Sequence, residues 1–276
     1  MGIPQALGAA AAGVASATLV HQTGTARRQN SPFRRYWERH LIATVRELDL
    51  RSRNGDQLPL IYVALGDSAA QGLGAKMIVE GYVPIVAKAL ADVTGRDVAL
   101  LNLSLSGGTV QSVLGTQISQ LSGLRIAGEP IVPDVVTLDI GSNDVGQTWV
   151  SADSFERDYR SIAQLLPSGS FVLNIPSFGI LPAEARAAAF SQIIESQVRA
   201  HGHHLVDIRT TSKNMPLSTY MFKYHAADMF HPNSRWYEVW AQKFVDKISA
   251  VHNCEPIEVA HLDPWSGPIS HEYLNG

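Results

Sequence analysis

Residues 63 to 68, "VALGDS", end an apolar run on a polar turn whose only nucleophile is Ser68. A serine hydroxyl attacks a carbonyl carbon once a base removes its proton during attack. Far along the chain, in "DMFHPN", Asp228 and His231 stand three residues apart. In a helical turn that spacing puts both side chains on one side. The carboxylate can then accept from one ring nitrogen while the other faces the serine. The negative charge that develops on the carbonyl oxygen needs fixed donors, each typically worth about 10²- to 10³-fold in rate. Three are available: the Ser68 amide, the Gly107 amide in "SLSGG" and the Asn143 side chain in "GSND". At 107 a side chain would crowd the oxygen or forbid the backbone angle. Each fragment alone is ordinary turn composition. Their order along the chain carries the signal.

That order depends on the elements between them. From residue 59 short apolar strands alternate with amphipathic helices, the pattern of an α/β sheet covered by helices on both faces. The spacing predicts strands over 59–66, 97–105, 134–140, 170–175 and 203–208, and helices over 81–94, 109–122, 153–165, 182–201 and 234–251. Asn233 or Ser234 is placed to cap the last helix. In doubly wound sheets the chemistry lies beyond the carboxyl ends of the strands. Ser68, Gly107 and Asn143 each follow a predicted strand, and Asp228 and His231 precede the final helix. Asp139, inside the third strand, is expected to hydrogen-bond to backbone or to a neighbouring block rather than to take part in the reaction.

The four blocks "GDSAAQG", "NLSLSGG", "GSND" and "DMFHP" resemble those of the GDSL or SGNH hydrolase family over roughly residues 59–250. The resemblance implies a flavodoxin-like three-layer α/β/α sandwich with a mainly parallel five-stranded sheet. It also implies Ser68 as nucleophile, Asp228 and His231 as its partners, and an oxyanion hole from Ser68, Gly107 and Asn143. Ala69 stands where the family has Leu, which leaves the nucleophile unaffected. The implied activity is a serine carboxylesterase acting on short- to medium-chain acyl esters through an acyl-enzyme. The alternatives are a carbohydrate O-acetylesterase or a lysophospholipase with the same triad, or a non-catalytic glycan- or lipid-binding module. Leu73, Met77 and Ile78 after the nucleophile, and Met229 and Phe230 before the base, are the candidate walls of an acyl pocket.

Other signals bound the reading. With 22 basic and 25 acidic residues the net charge is −3, so composition gives no case for nucleic acid; a small-molecule ester is the expected partner. Residue 70 is Ala, so the G-x-S-x-G elbow of a different hydrolase fold is absent at Ser68. Gly72 and Gly74 lack the third small residue of a dinucleotide loop, since Met77 takes its place. His201, His203 and His204 cannot all converge, because strand alternation sends the last two to opposite faces. No metal and no cofactor is called for. Residues 1–25 form an uncharged start suited to a signal or an anchor, which implies export or association with membrane or cell envelope, with a cytoplasmic location as the alternative. Residues 26–54 read as a basic amphipathic helix packed on the hydrolase domain of residues 55–251. Residues 252–276 read as an irregular tail pinned by Trp265.

Overall fold

The computed structural model describes residues 3–266, with side chains from Gln29 onward except those of Leu217, Met221 and Phe222. Strand β1 (Leu60–Gly66) is buried along its whole length. Such a strand must be covered on both faces. Pairing is parallel throughout its sheet: β1 lies between β2 (Val98–Asn102) and β3 (Val135–Asp139), followed by β4 (Phe171–Leu173) and β5 (His204–Val206). The order is β2-β1-β3-β4-β5, the flavodoxin-like arrangement expected. Alternation along β1 then divides the core. Tyr62 and Ala64 face a cluster with α2 (Tyr82–Thr94) and α6 (Ser234–His252), where Tyr82 stacks on Phe244 at 5.2 Å. Ile61, Val63 and Leu65 face a second cluster. It is built with α3 (residues 110–123), α4 (Ala152–Leu165) and α5 (Glu184–Ala200).

The strands are shorter than the apolar runs that predicted them. Leu103 and Leu105 still donate to the carbonyls of Ala64 and Gly66, at 2.9 and 3.1 Å, although β2 ends at Asn102. That extension carries the second block up beside the first. A two-stranded hairpin, Arg125–Ile126 with Glu129–Pro130, was not predicted. Its strands are two residues each, too short for a periodic signal.

Helix α1 (Ile3–Asn54) contains the expected amphipathic stretch. It lies beside the edge strand β2 and the hairpin, so it shields a sheet edge that would otherwise be open to pairing. Trp37 is buried in the first core cluster and Leu48 in the second. Polar anchors accompany them: Trp37 Nε1 donates to the Gln71 carbonyl at 3.0 Å, and the Ala127 amide donates to Asp49 at 2.8 Å. Residues 26–54 are thus built into the same core as the sheet. The apolar segment 1–25 falls outside the residues whose side chains are described. Among the described residues no helix is long and apolar enough to cross a membrane. Trp265 is buried against His40 of α1, with ring centroids 5.1 Å apart, so the chain is anchored to the domain at that residue; residues 267–276 lie outside the described residues.

Candidate active site

The turn after β1 begins at Gly66, whose φ is +149°. A Cβ there would stand 2.4 Å from the Asp139 carbonyl oxygen, so only glycine lets β1 and β3 stay paired while the chain turns. Gly66 is held further by Gln117, a fully buried residue at the end of a π-turn (Val113–Gln117) within α3. Its Oε1 accepts from the Gly66 amide and its Nε2 donates to the Gly66 carbonyl, both at 2.8 Å. Sequence reasoning missed Gln117. The two residues are 51 apart, and no local pattern marks the pairing.

Ser68 is 5 % exposed at the head of this turn. His231 Nε2 lies 2.9 Å from Ser68 Oγ, and His231 Nδ1 lies 2.5 Å from Asp228 Oδ2. The other Asp228 oxygen accepts from the amides of Phe230 and His231, at 3.0 and 2.8 Å. Burial acts to raise the Asp228 pKa, but the hydrogen bond and charge of His231, together with these amides, outweigh it and hold the carboxyl below its ordinary value. Asp228 is therefore a charged acceptor that orients the imidazole. Met229 makes the turn possible by adopting φ +55°, a conformation that costs a non-glycine residue about 1–2 kcal/mol. Gly74, at φ +94°, packs against the same loop. A Cβ there would meet the Pro232 carbonyl oxygen at 2.3 Å and His231 Cβ at 2.9 Å. Its amide donates to Gln29 of α1 at 3.1 Å.

The expected oxyanion donors differ in availability. Neither the Ser68 amide nor the Gly107 amide has an acceptor among the described residues. Gly107 has φ +72° and open space where a Cβ would lie, so the constraint there is backbone conformation rather than crowding. Asn143 Nδ2 donates to the Gly108 carbonyl at 2.8 Å and to Asp67 Oδ2 at 3.1 Å. Both of its hydrogens are engaged, so it would reach an oxyanion only by sharing one. Asp144, which sequence reasoning passed over, accepts from the Val110 amide at 3.2 Å and ties the third block to the start of α3.

A pocket of about 110 Å³ opens beside Ser68 and His231. Met229 and Phe230 line it as expected. Leu73, Met77 and Ile78 do not. Leu73 is buried beneath its own loop, where its carbonyl accepts from Tyr237 at 2.5 Å; Met77 is exposed; Ile78 packs against the α2–α6 core cluster. The opposite wall comes instead from the loop after β4, with Phe178, Ile180 and Leu181. That loop is clamped through Glu184, which pairs with the buried Arg209 and accepts from the Phe178 amide at 2.5 Å. Asp139 also lines the pocket, yet its Oδ2 has no hydrogen-bond partner among the described residues, contrary to expectation. His203 is buried with Nε2 on the Ala163 carbonyl at 2.8 Å, and His201 Nδ1 lies 2.9 Å from the Gln197 carbonyl. Among the described residues no cluster of three or more metal-ligating side chains occurs.

Residues 64–239 match the model of the GDSL-like lipase/acylhydrolase family. The chain is 26 % identical over 189 residues to a GDSL-like esterase of Mycobacterium tuberculosis, an alignment covering 64 % of this chain. It spans 57 % of the length of that relative. Among solved structures, it resembles the LAE5 alpha/beta hydrolase from the metagenome of Lake Arreo, with a TM-score of 0.54, 23 % identity, and 70 % of this chain and 96 % of that one covered. It also resembles the acetylxylan esterase Axe2 of Geobacillus stearothermophilus, with a TM-score of 0.53, 18 % identity, and 68 % and 94 % covered. At these identities the two structures speak for the fold.

Proposed function

Because the chain belongs to the GDSL-like lipase/acylhydrolase family, we propose that it is a serine carboxylic ester hydrolase working through an acyl-enzyme on short- to medium-chain esters. One observation carries this reading: the chain Asp228–His231–Ser68, with contacts of 2.5 and 2.9 Å drawn from two loops 163 residues apart. Ser68 Oγ attacks the ester carbonyl as its proton passes to His231 Nε2. The C–O bond to the alcohol then breaks, and the proton leaves with that alcohol. Water repeats the sequence against the acyl-serine, again with His231 as base, and frees the acid. The amides of Ser68 and Gly107 are the available donors to the oxyanion, with Asn143 sharing a hydrogen.

Pocket size supports a short acyl group, since 110 Å³ is below the range of about 300–1,000 Å³ usual for drug-sized ligands. A longer chain would run out across Ile180, Leu181 and Phe230, each at least half exposed at the pocket. The same small pocket favours acetyl esters of a carbohydrate as the second reading, and the neighbouring fold of an acetylxylan esterase agrees with it.

Hydrolysis of 4-nitrophenyl esters from acetate to decanoate tests the proposal. Ser68→Ala and His231→Ala are each expected to lower kcat by at least about 10⁴-fold with the fold intact. Substantial turnover by the serine variant would place the nucleophile elsewhere. A steep loss beyond acetate would select the acetylesterase reading.

A further inference from the structure

The pocket beside Ser68 contains a second histidine that the proposed mechanism leaves unused. His225 lines it, six residues before His231. Its Nδ1 lies 2.9 Å from the Tyr220 carbonyl oxygen. A carbonyl can only accept, so Nδ1 carries the hydrogen and Nε2 of the neutral ring is a bare acceptor. Burial lowers the pKa of His225 despite the bond to Tyr220, which keeps the ring neutral near pH 7. Nε2 makes no hydrogen bond to a described residue and is not among the fully buried unpaired atoms, so it stays open to solvent or to a ligand.

The ring is held in place before any ligand arrives. It stands edge-on to Tyr220 at 4.7 Å, and its own carbonyl accepts from Asn233 Nδ2 at 3.1 Å. Asn233 at the same time caps α6 with its Oδ1, and His225 pairs with Pro232 as an antiparallel bridge. An acceptor fixed in this way, on a pocket whose lining combines Pro176, Phe178, Leu181 and Met229 with the polar Asp139, Ser142 and Ser177, calls for a donor on the ligand. An ester with only C–H groups there would leave the nitrogen unpaired, and sites built around a hydrogen bond discriminate strongly against such isosteres.

We propose that His225 is a specificity-determining residue whose Nε2 accepts a hydrogen bond from a hydroxyl of the substrate, so that the preferred substrates are short esters bearing a free hydroxyl. The proposal rests on the serine-hydrolase reading above. The hydroxyl can belong to the acyl part or to the alcohol part, and matched pairs distinguish them. 4-Nitrophenyl butyrate is compared with 4-nitrophenyl 3-hydroxybutyrate, and propyl butyrate with 2-hydroxyethyl butyrate, followed by pH-stat where no chromophore is released.

The wild-type enzyme is expected to prefer the hydroxylated member of at least one pair by about tenfold in kcat/KM, the scale of one net hydrogen bond. In His225→Phe the ratio within that pair should fall close to one. His225→Gln, whose amide oxygen can still accept, should retain more of it. Equal kcat/KM within both pairs for wild type, or a ratio undiminished in a folded His225→Phe, would overturn the assignment while leaving the hydrolase reading in place. Equal wild-type ratios overturn the assignment even if neither variant folds. Turnover that survives Ser68→Ala would remove the premise and this inference together.

Discussion

Three carboxyls lie at or beside Ser68, and their surroundings assign them different work. Asp228 accepts from two amides and an imidazole and is held in its charged form. Asp67 is pushed up to about 6 by burial, against the opposing effects of the Ala69 amide and the charge of His231. Asp139 is raised well above its ordinary value of 3.8, first by burial and then by the charge of Asp67. A raised carboxyl keeps its proton in the folded state at pH values where the unfolded chain has lost it. Its contribution to stability is therefore complete below about 3.8 and is lost as pH rises through the higher folded value. Asp139→Asn removes that loss. Its Tm relative to wild type should climb between pH 4 and pH 7.5, measured by thermal melts in matched buffers; a difference that stays constant with pH would show that Asp139 is not buried as a reluctant acid. The sequence singled out Asp139 as buried because it sits in an apolar strand. It could not show that Oδ2 would lack a partner, because that depends on what α2 and α6 bring to the same face.

At the scale of elements, the turn carrying Ser68 is held by a side chain where a strand would otherwise be. Gln117 supplies both a donor and an acceptor to Gly66, and it ends the π-turn within α3. Gln117→Leu would leave the Gly66 amide buried and unpaired, at a cost of about 1–3 kcal/mol. Because Gly66 is two residues from Ser68, kcat should fall more than KM rises. Urea unfolding and steady-state kinetics on the same preparation check both, and an unchanged kcat would show that the turn holds itself. The strands and the long helices that cover the sheet were legible to within a few residues, because apolar periods of two and 3.6 survive in single segments, whereas α1 begins at Ile3, 23 residues before the helix expected from residue 26. The short helices Ser142–Val145, Arg209–Lys213 and Leu217–Lys223 were not, since a segment of four to seven residues carries too little of a helical period. The same limit hid one wall of the pocket. Leu73, Met77 and Ile78 were chosen for lying close to Ser68 in sequence, whereas Phe178, Ile180 and Leu181 approach it only because β4 lies next to β3 in the sheet.

Across the whole molecule, the long N-terminal helix is tied to the chemistry rather than appended to it. Trp37 enters the core and donates to Gln71, three residues after Ser68. Gln71 in turn donates to the Ser104 carbonyl at 2.8 Å and accepts from Ser106 at 2.7 Å, which joins the helix to the loop carrying Gly107. Trp37→Ala is expected to lower the stability of the entire domain by about 3–5 kcal/mol in one cooperative transition. A separate early transition that leaves the melting of the sheet unmoved would show that α1 folds independently. The sequence placed residues 26–54 on the domain through their helical stripe, but Trp37 offered no mark that its indole N–H would reach past the core to the loop carrying Ser68.

The central claim is that Ser68 carries the acyl group. Treating the protein with a 4-nitrophenyl alkylphosphonate, then measuring intact mass and mapping the modified peptide, tests this most directly. One equivalent is expected on Ser68 in wild type and none in Ser68→Ala, with His231→Ala labelled far more slowly. Stoichiometric label on any other residue, or none at all on a folded and ester-hydrolysing preparation, would contradict the account.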